Sequence, residues 1–195
     1  MKIHLFGASG SGVSTLGKQL EQTLEVPFLD TDTYFWEESA IPFTVRRDPP
    51  LRNAMLKADV ARQSRWIIGG SLVSWGDEWL SAFDLAVFLW IPNELRMQRL
   101  KAREYERYGD VIFTDARRHE KYNAFMEWAA GYEDASFQGR SLHIHEAWMA
   151  KLTCPVLELR GDMTVAEREK KVVEKIRLLP CGVEENKTAL LPGKG

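Results

Sequence analysis

Cysteine is scarce, and its placement makes no framework. Cys154 and Cys181 stand far apart and match no metal-ligand spacing, so reduced thiols are the expectation. Long apolar runs are missing too. The longest, Leu85–Ile91, falls well short of the ~18 residues of a membrane span. The apolar opening at Ile3–Phe6 meets glycines too soon for a secretion signal. Charge of one sign is also missing: 26 basic against 28 acidic residues leave a formal net charge of −2. That balance gives nucleic acid or an anionic membrane no electrostatic handle. What remains is 195 residues, 45% hydrophobic and 28% charged. A chain of that size buries roughly 70% of its unfolded surface and needs no staple. A cytoplasmic protein of one main domain is expected.

What is present begins at the N-terminus. Ile3-His4-Leu5-Phe6 reads as a buried strand and enters the loop Gly7-Ala8-Ser9-Gly10-Ser11-Gly12. A helix follows from Val13-Ser14-Thr15, carrying Leu16, Leu20 and Leu24. This is the strand–loop–helix context of the phosphate-binding pattern G-x-x-x-x-G-K-[ST], with Val13 at the lysine position. Glycines let a backbone approach phosphate, and a helix N-terminus adds about half a positive charge. Gly7, Ser9, Gly10, Ser11, Gly12, Val13, Ser14 and Thr15 are therefore the candidate nucleotide cradle. Ser14 is the candidate Mg²⁺ ligand, and Thr15 is placed to reach an inner phosphate. A hydrogen bond to a charged group is worth about 1.5–3 kcal/mol, so losing the lysine should weaken binding while the backbone donors persist. Catalysis is expected to suffer more, since a transition-state cation can be worth about 10³–10⁵ in rate.

Strand signals then alternate with helical ones. Strands are expected at Val26–Leu29, Trp66–Ile68, Leu85–Ile91 and Pro155–Leu159. Helices are expected over 51–64, from Pro92 to about Tyr108, over 115–130 and 141–151, and from the capping box Thr164-Val165-Ala166-Glu167 to about Leu179. Five strands with helices between them predict an α/β, three-layer architecture around a parallel sheet. Ligands in such sheets bind beyond the carboxyl ends of the strands. The glycine loop, Asp30/Asp32 and Gly69-Gly70-Ser71 all fall there. Residues 1–179 form the expected domain, with an acceptor segment near 31–64 and a helical lid near 104–150. Residues 180–195 read as a loose tail.

Arginines offer a second source of positive charge. Arg96, Arg99, Arg103 and Arg107 recur at helical spacing and form one stripe. A solvated face is expected for Arg96 and Arg107. Arg99 and Arg103 run toward a polar, aromatic-rich segment that also holds Arg117, Arg118 and Arg140. Arg99 and Arg103 are the candidates to meet phosphate charge in place of the lysine, with Arg103 a catalytic candidate. Asp30 and Asp32 are two residues apart at a strand end and share a face. A carboxylate there can orient an acceptor hydroxyl and take its proton, which makes Asp32 a catalytic candidate and a second Mg²⁺ candidate. Tyr34, Phe35, Trp36 and Phe43 are core aromatics or pocket lining. Arg46, Arg47 and Arg52 are expected in a solvated loop, with capture of an anionic acceptor as the alternative. His119, His143 and His145 match no metal motif.

Together, GASGSGVST, FLDTDTYFW, WIIGGS, the segment Arg99–Arg103 and Arg160-Gly161-Asp162 resemble the adenylate kinase-like branch of P-loop small-molecule kinases. More narrowly they resemble proteins called adenylate kinase-related or topology modulation proteins, over roughly residues 1–178. The resemblance implies a five-stranded parallel sheet with a lid. It also implies that Arg99 packs on adenine, Arg103 touches phosphates, and Gly161 with Asp162 borders the base. The Asp-x-Asp pair resembles that of shikimate and gluconate kinases. The expected activity is transfer of the γ-phosphoryl of Mg·ATP to a small-molecule acceptor, with a nucleotide-binding regulatory protein of little or no turnover as the alternative.

Overall fold

The computed structural model describes residues 1–179; the tail assigned to 180–195, with Cys181, lies outside them. Strands β1 (Lys2–Gly7), β2 (Phe28–Asp30), β3 (Trp66–Gly69), β4 (Leu85–Trp90) and β5 (Val156–Arg160) form one sheet in the order β2-β3-β1-β4-β5. All four pairings are parallel. Between the strands run α1 (Val13–Leu24), α2 (Thr31–Phe35), α3 (Pro49–Ala61), α4 (Asn93–Tyr108), α5 (Val111–Thr114), α6 (Ala116–Ala130) and α7 (Leu142–Met149). Helix α8 (Val165–Arg177) closes the domain, opened by the expected capping box of Thr164 and Glu167. No helix of the described residues is long and apolar enough to cross a membrane.

Alternation along the central strands divides the core. Ile3, Leu5, Leu85, Val87 and Leu89 join Leu16 and Leu20 of α1 and Val172 of α8 on one face. Phe6, Ala86 and Phe88 face the other way, onto Leu56, Trp66, Trp75, Trp79 and Trp148. Both faces are covered, which is why Leu85–Trp90 is a continuous apolar run. After β3 the chain crosses from one side of β1 to the other, so the carboxyl ends of β1 and β3 flank the crevice where such sheets bind ligands.

Two buried histidines sit on the aromatic face. His4 is stacked between Phe6 (centroids 4.9 Å apart) and Phe83 (4.8 Å). Its Nε2 donates to the Gly70 carbonyl at 2.8 Å, and its Nδ1 is buried without a partner. His145 uses both ring nitrogens, meeting Tyr132 Oη at 2.7 Å and Ser71 Oγ at 3.1 Å.

Gly7 ends β1 where the sheet is tightest. A Cβ there would overlap the Leu89 carbonyl oxygen and meet Ser11 Oγ at 2.7 Å. The obstacle is backbone, so no rotamer change relieves it. Gly7→Ala is expected to destabilise the protein by about 3 kcal/mol, a loss of roughly 6–12 °C in Tm by calorimetry.

Candidate functional site

The loop joins β1 to the first turn of α1. Gly10 (φ 83°) and Gly12 (φ 96°) take left-handed backbone that a side chain resists. Gly10 is also wedged against α4: a Cβ there would meet Leu100 Cγ at 2.8 Å and the Arg96 carbonyl oxygen at 3.1 Å. Ser11 N–H donates to the Ala8 carbonyl at 3.1 Å, closing the turn. The first amides of α1 have no helical acceptor and face the crevice end of the sheet. Val13 is not a gap in this arrangement. It packs with Phe28 and the α1-side core, close against Gly69, so the lysine position is filled as apolar structure.

Asp30 meets the loop from β2. Ser14 Oγ donates to Asp30 Oδ2 at 2.7 Å, while Asp30 Oδ1 caps α2 by accepting from Asp32 N–H at 3.0 Å. The Mg²⁺ candidate assigned to Ser14 thus gains Asp30 as its carboxylate neighbour. A hydroxyl and a carboxylate oxygen suit Mg²⁺, which is commonly held by one or two carboxylates together with substrate phosphates. Among the described residues no group of three or more His, Cys, Asp or Glu forms a metal site of its own. Asp32 points elsewhere. Its side chain reaches solvent, yet the protein around it partly desolvates it. That desolvation, then the Asp30 charge, raise its pKa, and Arg140, Arg103 and Arg107 pull it back in that order. Its carboxylate therefore lies within electrostatic range of three guanidinium groups from the helical segment beyond β4, and among the described residues it forms no ion pair with them.

Those arginines are not equivalent. Arg96 was expected on a solvated face, but it is 1% exposed. It donates to Asn93 Oδ1, the Ala129 carbonyl and Glu133 Oε2, each at 2.7 Å, and ties α4 to the end of α6. Arg107 lies over the Phe43 ring at 4.4 Å, joining α4 to the 36–46 hairpin. Arg99 bridges Asp162 at 2.9 Å beside Gly161, which gathers the residues that the resemblance places at the base. Arg103 places Nε and Nη2 on Glu104 Oε1 at 3.1 and 2.9 Å. Arg140 lies over Trp128 (5.7 Å to the ring centroid) and, among the described residues, has no hydrogen-bond or ion-pair partner. It shares a narrow crevice with Ala8 and Ser9 of the loop, Arg96, Trp128 and Tyr132.

Arg52 is a second correction. It is 8% exposed on α3, with its guanidinium 4.3 Å from the Trp75 ring and 5.0 Å from that of Phe35. Among the described residues it has no carboxylate partner, and its Nε is buried without any partner. Tyr34 is core, its hydroxyl donating to Asp59 at 2.8 Å. Arg168, which the sequence reading passed over, is 2% exposed and reaches the loop, with Nη1 on the Ser11 carbonyl at 2.6 Å. A signal for it exists. Val165, Arg168, Val172 and Ile176 recur at 3, 4 and 4, so Arg168 occupies an apolar-stripe position.

A glycine loop after the first strand of a 2-3-1-4-5 parallel sheet defines the P-loop kinase fold. Shikimate kinase from Bacteroides thetaiotaomicron shares it at TM-score 0.55 and 21% identity, covering 91% of this chain and 99% of that one. Shikimate kinase from Acinetobacter baumannii in complex with shikimate matches at TM-score 0.51 and 17% identity (90% and 92% covered). The YorR protein of Bacillus subtilis, in complex with phosphorylated GDP, matches at TM-score 0.54 and 12% identity (91% and 96%). At these identities the likeness establishes fold. No family model matches the chain. The uncharacterized protein YqaC of Bacillus subtilis (strain 168) is 43% identical over 172 residues, 88% of this chain and 95% of that protein. The chain belongs to the family of YqaC.

Proposed function

We propose that this protein transfers the γ-phosphoryl group of Mg·ATP to a hydroxyl of a small anionic acceptor. The observation that carries this reading is what gathers at the loop: Ser14 Oγ donates to Asp30, and Arg140 shares a crevice with Ala8 and Ser9, has no partner among the described residues, and acts electrostatically on Asp32. In this reading the loop amides hold the donor phosphates, with Arg99, Asp162 and Gly161 toward the base. Ser14 and Asp30 hold Mg²⁺, which when bound neutralises phosphate charge. Asp32 orients the acceptor hydroxyl and takes its proton as the oxygen attacks phosphorus and ADP leaves. Arg140 meets the phosphoryl oxygens, and Arg52, buried without a carboxylate, receives the acceptor's anionic group. The neighbours named above include one that holds shikimate, a hydroxylated carboxylate, which fits this acceptor class.

Asp32→Asn is expected to lower kcat by about 10²-fold, with the Mg·ATP dissociation constant changed less than threefold. Because desolvation and Asp30 raise the Asp32 pKa, the acidic limb of kcat/KM should lie above the ordinary carboxylate range. Activity should fall as pH drops through that limb. The decisive assay is a transfer screen across hydroxy acids, sugars and nucleoside monophosphates. Mg·ATP binding without transfer to any of them would favour the second reading, a nucleotide-binding protein without turnover. Val13, half-buried against the α1-side core at the lysine position, is the observation on that side.

A further inference from the structure

We propose that Arg168 supplies the positive charge that Val13 withholds from the phosphate loop, acting through the Ser11–Gly12 peptide without touching the nucleotide. This rests on the loop binding phosphate, as proposed above.

Arg168 comes from α8, on the far side of the loop from Arg140. Its Nη1 donates to the Ser11 carbonyl at 2.6 Å and its Nη2 reaches the Gly161 carbonyl at 3.4 Å. A Cβ on Gly12 would stand 3.0 Å from Nη1, so the guanidinium lies directly against the loop's last glycine. Buried arginines are normally paired with an acid. Among the described residues Arg168 has no carboxylate within ion-pair distance. The acid in electrostatic range is Asp162, and Asp162 already bridges Arg99 at 2.9 Å. Two guanidinium groups share one carboxylate, which leaves a net positive charge beside Gly12. Burial and Arg99 press the Arg168 pKa down, yet an arginine starts so high that it stays charged.

A guanidinium kept for packing alone would be replaceable by methionine or leucine at this apolar-stripe position, without the cost of an uncompensated charge. A polyanion on the other side of the loop offsets that cost. The route is a single peptide unit. The Ser11 carbonyl accepts from the cation and the Gly12 N–H belongs to the same amide. Polarisation of the carbonyl makes the N–H a stronger donor toward phosphate. Arg168 is in this sense a positioning residue that doubles as a fixed charge.

The test is Mg·ATP calorimetry on the full chain at low and high salt, with Arg168→Gln, Val13→Lys and the double variant. Glutamine keeps an amide donor for the Ser11 carbonyl and removes the charge. Arg168→Gln is expected to weaken Mg·ATP at least tenfold and to flatten its salt dependence. Val13→Lys should recover at least tenfold in the Arg168→Gln background, yet gain less than threefold alone, because the charge is already supplied. Unchanged affinity in Arg168→Gln overturns the proposal. So does a loss that Val13→Lys does not recover, since a structural role would not respond to a lysine elsewhere. If Arg168→Gln does not fold, Val13→Lys alone decides: a gain under threefold supports the proposal and a larger one overturns it. Wild-type protein that binds no Mg·ATP at millimolar concentration would instead remove the nucleotide reading, and this inference with it.

Discussion

Replacing Arg140 with methionine should lower phosphoryl transfer by about 10³-fold or more while leaving Mg·ATP affinity within about tenfold. The reasons are position and availability. Arg140 shares a crevice with Ala8 and Ser9 of the loop, and its charge acts on Asp32. Burial lowers its pKa, with the Asp32 charge opposing that effect, and the half-buried guanidinium stays charged. Among the described residues nothing accepts its hydrogen bonds. Unspent donors are worth most when a bound substrate excludes water around them and charge develops on a transferring phosphoryl group. Methionine keeps the packing on Trp128 and removes the donors. The same variant carries an internal check. Arg140 is the largest of the three cationic influences holding the Asp32 pKa down, so its loss should move the acidic limb of kcat/KM to higher pH. Steady-state rates across pH measure both effects. Arg103, whose Nε and Nη2 rest on Glu104, should cost less than tenfold when changed to alanine. A loss at Arg103 larger than that at Arg140 would reverse the assignment.

The largest expected effect on stability is acid lability from His4 and His145. Burial holds their pKa values down to about 4 and about 3, and in His145 the nearby Arg140 and His4 add to the depression. In the unfolded chain both titrate near 6.5. Between those values the unfolded state binds more protons than the folded one, so stability rises with pH. It is fully present above about pH 6.5 and is lost as pH falls toward 4. His4 by itself corresponds to about 3 kcal/mol across that window. The geometry explains why the folded protein refuses the proton. His4 Nδ1 is sealed without an acceptor, and both His145 nitrogens are taken by hydroxyls. Tm should therefore drop steeply from pH 6.5 to 4.5, with uptake of about two protons on unfolding. His4→Phe, which keeps the stack on Phe6 and Phe83, should reduce that uptake by about one. A pH-independent Tm over this range would refute the account.

Much of the fold could be read from local pattern. The seven-residue apolar stretch Leu85–Ile91, the glycine loop after Ile3–Phe6 and the capping box at Thr164 are short-range signals. Each came out as the expected element. The assignment of Arg99 and Gly161-Asp162 to a base rests on resemblance, and the structure brings Arg99 and Asp162 together at 2.9 Å. The arginines were legible only as a stripe. Arg96, Arg99, Arg103 and Arg107 have the same spacing, yet one is core, one bridges Asp162, one rests on Glu104 and one covers Phe43. Periodicity states which residues share a helix face. It does not state which element will pack against that face.

The sequence by itself determined the parallel α/β sheet, the glycine loop that opens α1 and the valine at its lysine position, because these follow from runs and spacings within a few residues. The tertiary structure decided where positive charge meets that loop. Arg140 arrives from beyond α6 and Arg168 from α8, each far from Gly7–Ser14 along the chain. The physical reason is that burial without a carboxylate partner depends on what several separate elements enclose together. No local pattern encodes that enclosure, and it distinguishes a charge available to a ligand from one already paired.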